Sequence, residues 1–168
     1  MIGSAVLVLF AAGVLLSVGL WTRQDGLLLR SATLMMLTVL LFGMLLPADA
    51  IAALRDGLLA VFGHWAEDSP GHSTAISAHL MLFTFTGLLV GRLRLHFGWA
   101  RVVAFLMALA VMTEAMQYFS PGRQPSWLDV GANLLGIVLG LALLAGLMSF
   151  GGRIGAALRR NPEAEPMG

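Results

Sequence analysis

The sequence contains no cysteine and no lysine, and it has few charged residues of any kind. Without cysteine the chain forms no disulfide, no thiolate nucleophile and no cysteine-ligated metal site. Only 11% of its 168 residues are charged and 58% are hydrophobic, against about 25% and about 45–50% in ordinary soluble domains. A single domain of this length cannot hide so much apolar surface from water, which excludes a soluble enzyme. The net charge of +1 provides no basic surface for nucleic acid.

Five stretches are long and apolar enough to cross a bilayer core of about 30 Å, which requires roughly 20 helical residues. They cover residues 2–20, 27–46, 74–90, 99–119 and 127–150. The first lacks the basic start and the small-residue cleavage site of a signal peptide, so we interpret it as a retained span. The sequence predicts an all-α polytopic membrane bundle with five transmembrane helices. The bundle forms one domain over residues 1–160, followed by a polar, disordered cytoplasmic tail over residues 161–168.

The arginines indicate how the bundle is oriented, because short cytoplasmic loops accumulate basic residues. With the N-terminus outside, only Arg55 and Arg123 lie on the outer side. The other eight then lie on the cytoplasmic side: Arg23, Arg30, Arg92, Arg94, Arg101, Arg153, Arg159 and Arg160. We therefore predict a plasma-membrane protein with its N-terminus outside and its C-terminus in the cytoplasm.

The segment over residues 48–66 is too polar to span a membrane, but it has an apolar face. Its apolar residues recur at helical spacing: Ile51, Leu54, Leu58, Phe62 and Trp65. A helix of this kind can lie in the plane of the membrane with that face buried. We predict an outer interfacial helix here, and a plain loop packed on the bundle is the alternative.

Polar side chains concentrate near the outer ends of the last two predicted spans. Glu114 and Gln117 are three residues apart and share one helix face, and Asp129 and Asn133, four apart, do the same. Arg123 lies in the short loop between the two spans. Ionisable groups inside a membrane usually face the protein interior and have partners, so we expect these side chains to form one outward-facing site.

Three further residues extend this pattern. His79 lies in the first turns of the third span, at a similar depth, where it can be a hydrogen-bonding partner for a carboxylate or a proton shuttle. Gly136 and Gly140 lie on the same helix stripe as Asp129 and Asn133, and their spacing predicts close approach of another helix.

The run over residues 114–140 resembles the signature of the VanZ-like membrane proteins. That signature reads E-x-x-Q, a short loop with an arginine, and then D-x-x-x-N-x-x-G-x-x-x-G, and every position is filled here in order. His79 resembles the last residue of the family's D-K-x-x-H segment, although Ala75 and Ile76 stand where the family often has Asp and Lys. The resemblance covers about residues 30–150.

The resemblance implies a bacterial cell-envelope protein, in a family whose name-giving member is associated with resistance to the glycopeptide teicoplanin. The first hypothesis is a non-enzymatic protein whose polar cleft binds a membrane lipid, the head group of a lipid-linked cell-wall precursor, or a glycopeptide. Arg123 would contact phosphate or carboxylate, with Gln117 and Asn133 as neutral hydrogen-bonding groups. Glu114 and Asp129 would orient Arg123.

Three alternatives remain open. The chain can be a small membrane enzyme acting on an envelope lipid or glycan, with Glu114 or Asp129 as general acid or base and His79 tuning it. It can also be an oligomeric transporter. Alternatively, the polar residues form only a structural lock, in which Arg123 neutralises one or both carboxylates.

No metal or cofactor is predicted. His64, Glu67, Asp68 and His72 invite a metal interpretation, but they lack the H-E-x-x-H spacing and a clear fourth ligand. We interpret them as solvated loop residues.

Overall fold

A computed structural model describes residues 2–62, 71–93 and 97–160, which form six α-helices and their short connections. The helices are α1 (Ile2–Trp21), α2 (Leu27–Leu45), α3 (Ala48–Phe62), α4 (Gly71–Gly91), α5 (Trp99–Met116) and α6 (Trp127–Arg160). Short 3-10 helices follow α1 at Thr22–Gln24 and α5 at Gln117–Phe119. The described residues contain no strand, and the predicted all-α fold is confirmed.

Four helical stretches are long and apolar enough to cross a membrane, judged by length and composition: Gly3–Gln24, Leu27–Leu45, Trp99–Phe119 and Trp127–Gly151. They coincide with four of the five predicted spans. In α4, the remaining one, the apolar part is the shorter stretch Ile76–Gly91. Helix α6 continues past the predicted end of its span to Arg160. Its 34 residues make it about 50 Å long, which exceeds the thickness of a hydrocarbon core.

Large apolar side chains cover the outer surfaces of these helices. Leu9 is 72% exposed and Leu28 is 86% exposed, and many other leucines, valines and phenylalanines project outward as well. Soluble monomers rarely expose so many large apolar side chains, whereas in a bilayer such side chains contact lipid tails. The surface is that of a membrane protein.

The apolar core lies where α2, α4 and α5 meet. Leu37 and Leu40 of α2, Phe83 of α4 and Leu106 of α5 are all completely buried. Helix α1 adds Val18 to this cluster.

Helices α4 and α6 pack with almost no space between their backbones. A Cβ atom at Gly136 would lie 2.6 Å from the carbonyl oxygen of Leu80 and 2.9 Å from Cβ of Phe83. Gly140 lies directly against the carbonyl oxygen of Thr84. Small residues allow such close approach where helices cannot be joined by a hydrophobic driving force. This contact determines how the first turns of α6, which carry Asp129 and Asn133, face α4.

The buried threonines are satisfied within their own helices. Each hydroxyl donates to a carbonyl oxygen four residues earlier, at 2.8 Å: Thr22 to Val18, Thr33 to Leu29, Thr86 to Leu82 and Thr113 to Leu109. These residues therefore need no partner on another helix.

Several predicted features fall on residues that the structure does not describe. The predicted tail over residues 161–168 lies outside the described residues, as do His64, Glu67 and Asp68. The interpretation of His72 as a loop residue is wrong, since it lies in the first turn of helix α4. The predicted outer helix over residues 48–66 is described as far as Phe62, and Trp65 lies outside.

Candidate functional site

Three helices bring buried polar side chains together at one end of the bundle. His79 of α4, Glu114 of α5 and Asn133 of α6 are 6%, 2% and 0% exposed, and Gln117, just after α5, is also buried. Buried polar groups in an apolar bundle are costly unless they are hydrogen-bonded. The hydrogen-bond partners of these side chains therefore define the geometry of the site.

His79 and Asn133 join α4 to α6. His79 Nδ1 lies 2.9 Å from Asn133 Oδ1, and Asn133 Nδ2 donates to the carbonyl oxygen of Ala110 in α5 at 3.5 Å. A carbonyl oxygen only accepts, so the amide nitrogen of Asn133 must face Ala110 and its oxygen must face His79. His79 Nδ1 is then the donor in this pair.

Glu114 joins the end of α5 to the start of α6. Its Oε2 accepts a hydrogen bond from Gln117 Nε2 at 3.0 Å, and its Oε1 accepts one from the backbone N–H of Ser126 at 2.9 Å. The predicted shared face of Glu114 and Gln117 is thus a direct contact. Both donors are neutral, so the carboxylate is held in place without its charge being cancelled by them.

Ser126 caps helix α6, and the sequence analysis did not single it out. Its Oγ accepts the backbone N–H of Asp129 at 3.4 Å, in the geometry of an N-cap residue. The pattern Ser126-x-x-Asp129 is a readable capping-box signal. In a standard box the acid would bond the backbone N–H of the cap, but here Glu114 occupies that N–H. The Asp129 carboxylate accepts no hydrogen bond from the described residues.

Arg123 contacts the end of α2. Its Nη2 donates to the carbonyl oxygens of Gly43 and Met44, both at 3.3 Å. The last carbonyls of a helix lack intrahelical partners and carry partial negative charge, which explains this preference. The expected ion pairs of Arg123 with Glu114 or Asp129 do not occur among the described residues. Arg123 Nε is buried and has no hydrogen-bond partner there.

The loop that carries Arg123 is attached to the junction of α2 and α3. The Ser120 hydroxyl donates to the carbonyl oxygen of Leu45 at 3.0 Å, and the backbone N–H of Ala48 donates to that of Pro121 at 3.2 Å. Gly122 takes a left-handed conformation, with φ of 73°, that lets the loop turn over Ala48. These contacts position Arg123 at the end of α2.

An apolar cavity of about 590 Å³ adjoins the site. Arg123 and His79 line it together with residues of α2, α3 and α4, among them Val39, Phe42, Ile51, Leu54 and Leu82. A volume of this size lies within the usual range for small-molecule sites, about 300–1,000 Å³. The cavity combines apolar walls with one cationic and one imidazole side chain.

One combination of side chains in the site has the donor types of a metal centre. His79, Glu114 and Asp129 each offer one ligand atom, and these atoms all lie within 4.8 Å of one another. The three residues come from three helices, so no ligand spacing in the sequence indicates them.

No protein-family model, curated protein or solved structure matches this chain.

Proposed function

We propose that this chain is a VanZ-like protein of the bacterial plasma membrane that binds the anionic head group of a lipid or lipid-linked cell-wall precursor at its outer face. The observation that carries this proposal is the apolar cavity of about 590 Å³ lined by Arg123 and His79. Every position of the VanZ-like signature is present over residues 114–140, and this match supports membership of that family.

A five-span topology suits this function. In it α1, α2, α4, α5 and α6 cross the membrane, the N-terminus lies outside, and α3 lies in the outer interface with Ile51 and Leu54 toward the cavity. Arg123 then lies at the outer face, where head groups are found. The distribution of the other arginines supports this orientation, since Arg153, Arg159 and Arg160 follow the last span into the cytoplasm.

Arg123 supplies the recognition of negative charge. Its Nη2 is held by two carbonyl oxygens, while its Nε–H is buried without an acceptor among the described residues. A buried donor left unsatisfied costs about 1–3 kcal/mol. If the Arg123 side chain turns this N–H toward the cavity, a phosphate or carboxylate oxygen there would accept it and offset that cost.

The apolar walls supply the second part of the recognition. Val39 and Phe42 of α2 and Leu82 of α4 line the cavity, and its polar lining includes Thr38 as well as Arg123 and His79. Such a surface matches a hydrocarbon chain next to a charged group. An amphiphile fits this lining better than a small hydrophilic anion does.

The lipids that remain bound to the purified protein test this proposal directly. The chain is extracted into native nanodiscs, and lipids retained per protein molecule are quantified by mass spectrometry for wild type, Arg123→Ala and Arg101→Ala. A hydrogen bond to a charged group contributes about 1.5–3 kcal/mol, so Arg123→Ala should lower affinity for the anionic lipid roughly 10- to 100-fold. Arg101 is exposed at the other end of α5 and serves as the matched control. Equal lipid retention in all three proteins would contradict the proposal.

Cells provide a second test, which concerns the proposed contribution to resistance. Expression of the wild type in a teicoplanin-sensitive host should raise the inhibitory concentration, and Arg123→Ala should remove that protection at unchanged membrane abundance. Protection that survives Arg123→Ala would count against the cavity as its cause.

An enzymatic function is the second candidate, and one observation favours it. The Asp129 carboxylate lies close to Glu114 and His79 and accepts no hydrogen bond from the described residues, which suits a general base. Turnover of purified envelope lipids with a bell-shaped pH dependence, abolished in Asp129→Asn and in Glu114→Gln and retained in the exposed-residue control Asp49→Asn, would support it. Absence of turnover across a panel of such lipids would refute it.

A further inference from the structure

We infer that His79, Glu114 and Asp129 together bind one divalent transition-metal ion of the Zn²⁺ or Mn²⁺ type. Their ligand atoms lie within 4.8 Å of one another. Metal–ligand bonds of about 2.1 Å place ligand atoms roughly 3–4 Å apart around one ion, so binding requires them to move inward by about an ångström. Small side-chain rotations are sufficient for such a movement.

The hydrogen bonds of His79 prepare it as a ligand. Metal-binding histidines almost always donate their second ring N–H to a neighbouring acceptor, which fixes the tautomer and the orientation of the ring. Asn133 Oδ1 is that acceptor, at 2.9 Å, and Asn133 is itself oriented by the carbonyl oxygen of Ala110. In the neutral ring, Nε2 is then the nitrogen with the lone pair that a metal requires.

The hydrogen bonds of Glu114 prepare it in the same way. Each of its oxygens accepts one neutral donor, Gln117 Nε2 or the backbone N–H of Ser126. A carboxylate oxygen has a second lone-pair direction, so both oxygens can still bind an ion. Hydrogen-bonded carboxylates of this kind are typical of metal sites.

The charge balance points to the same ion. Glu114 and Asp129 lie close together, and Arg123 donates its hydrogen bonds to the carbonyl oxygens of α2 rather than to either carboxylate. Two ionised carboxylates this close together in an apolar bundle repel each other, and a bound cation would relieve that repulsion. A divalent ion bound by both carboxylates and a neutral imidazole gives a neutral site.

The donor set indicates which ions fit. Imidazole suits zinc and other first-row transition metals, whereas carboxylates also suit manganese and magnesium. One imidazole with two carboxylates favours Zn²⁺ or Mn²⁺ over Mg²⁺ or Ca²⁺, which prefer ligand sets made only of oxygen. Sites with three protein ligands leave a position for water or for a ligand oxygen.

Direct measurement of metal binding tests the inference. The full chain in nanodiscs is stripped with a chelator and titrated calorimetrically with Zn²⁺ and with Mn²⁺, and bound Mn²⁺ is followed by electron paramagnetic resonance. One ion per chain is expected. Asp129→Asn and His79→Gln should each weaken binding at least about 10-fold. Asn133→Leu keeps all three ligands but removes the hydrogen bond that orients His79, together with the bond of Asn133 to Ala110, and should weaken binding roughly 10- to 100-fold.

Control variants make the result decisive. Asp49→Asn removes an exposed acid of α3 and should not change the affinity. Circular dichroism and gel filtration identify any variant that fails to fold, and Glu114→Gln then replaces it in the series. Arg123→Ala should lose lipid and keep the ion, which separates this inference from the proposed lipid binding. Lack of stoichiometric binding, or equal binding by wild type, Asp129→Asn and His79→Gln, would overturn it.

Discussion

The contact between α4 and α6 can be tested by adding one methyl group at Gly140. A Cβ there would lie against the carbonyl oxygen of Thr84 and 2.8 Å from the amide nitrogen of Leu88, both of them backbone atoms that cannot turn away. Ordinary contacts require about 3.5–4.0 Å, so the helices must separate by roughly 1 Å in Gly140→Ala. Overpacking of this kind typically costs about 1–3 kcal/mol.

The matched control is Gly146→Ala on the same helix, where a Cβ meets nothing within 4 Å. Both changes gain the higher helix propensity of alanine, about 0.8–1.0 kcal/mol, so the difference between the variants isolates the steric contact. Gly140→Ala should therefore be less stable than Gly146→Ala by about 1–3 kcal/mol. Unfolding in detergent, followed by circular dichroism during titration with sodium dodecyl sulfate, measures this difference.

The same separation should reach the polar site. His79 Nδ1 of α4 and Asn133 Oδ1 of α6 lie 2.9 Å apart. A separation of the helices by a further ~1 Å would lengthen this contact beyond hydrogen-bonding distance. Gly140→Ala should consequently weaken binding of the proposed ion as well. Equal stability of Gly140→Ala and Gly146→Ala would refute the close packing of α4 and α6.

Substitutions at Ser126 and at Thr86 have different expected results in the same unfolding titration. Ser126→Ala removes the N-cap of α6 and should lower the free energy of unfolding by about 1 kcal/mol. Ser126→Thr keeps a hydroxyl and should retain most of that stability. An unchanged free energy of unfolding in Ser126→Ala would show that the cap contributes nothing. Thr86→Val should change stability by less than about 1 kcal/mol, because Thr86 bonds only the carbonyl oxygen of Leu82 in its own helix. A larger loss would indicate a partner for Thr86 on another helix.

Glu114 illustrates how one residue can combine structure and chemistry. It takes over the backbone N–H of Ser126, which an acid within α6 would normally bond, and it thereby ties the end of α5 to the start of α6. This leaves the Asp129 carboxylate without a partner among the described residues. Glu114 therefore both connects two helices and contributes a carboxylate to the polar site. Glu114→Gln removes the charge and keeps an oxygen that can accept the N–H of Ser126.

Local spacing predicted those parts of the site that lie on one helix turn. The i, i+3 relation of Glu114 and Gln117 predicts a shared face, and the two side chains are in contact at 3.0 Å. The partners of Arg123 were not predictable in this way. The expected carboxylates lie nearby in sequence, whereas the observed carbonyls of Gly43 and Met44 are about 80 positions away.

The amino-acid sequence alone determined the all-α character and the apolar helices. A single segment in lipid must satisfy its backbone hydrogen bonds internally, so a long apolar segment forms an α-helix regardless of its neighbours. Only the tertiary structure decided that Arg123 meets the end of α2, that His79 meets Asn133, and that His79, Glu114 and Asp129 converge. These contacts depend on how each helix is rotated against its neighbours. That rotation is decided by where backbones can approach, as at Gly136 and Gly140, and the approach involves two distant segments at once.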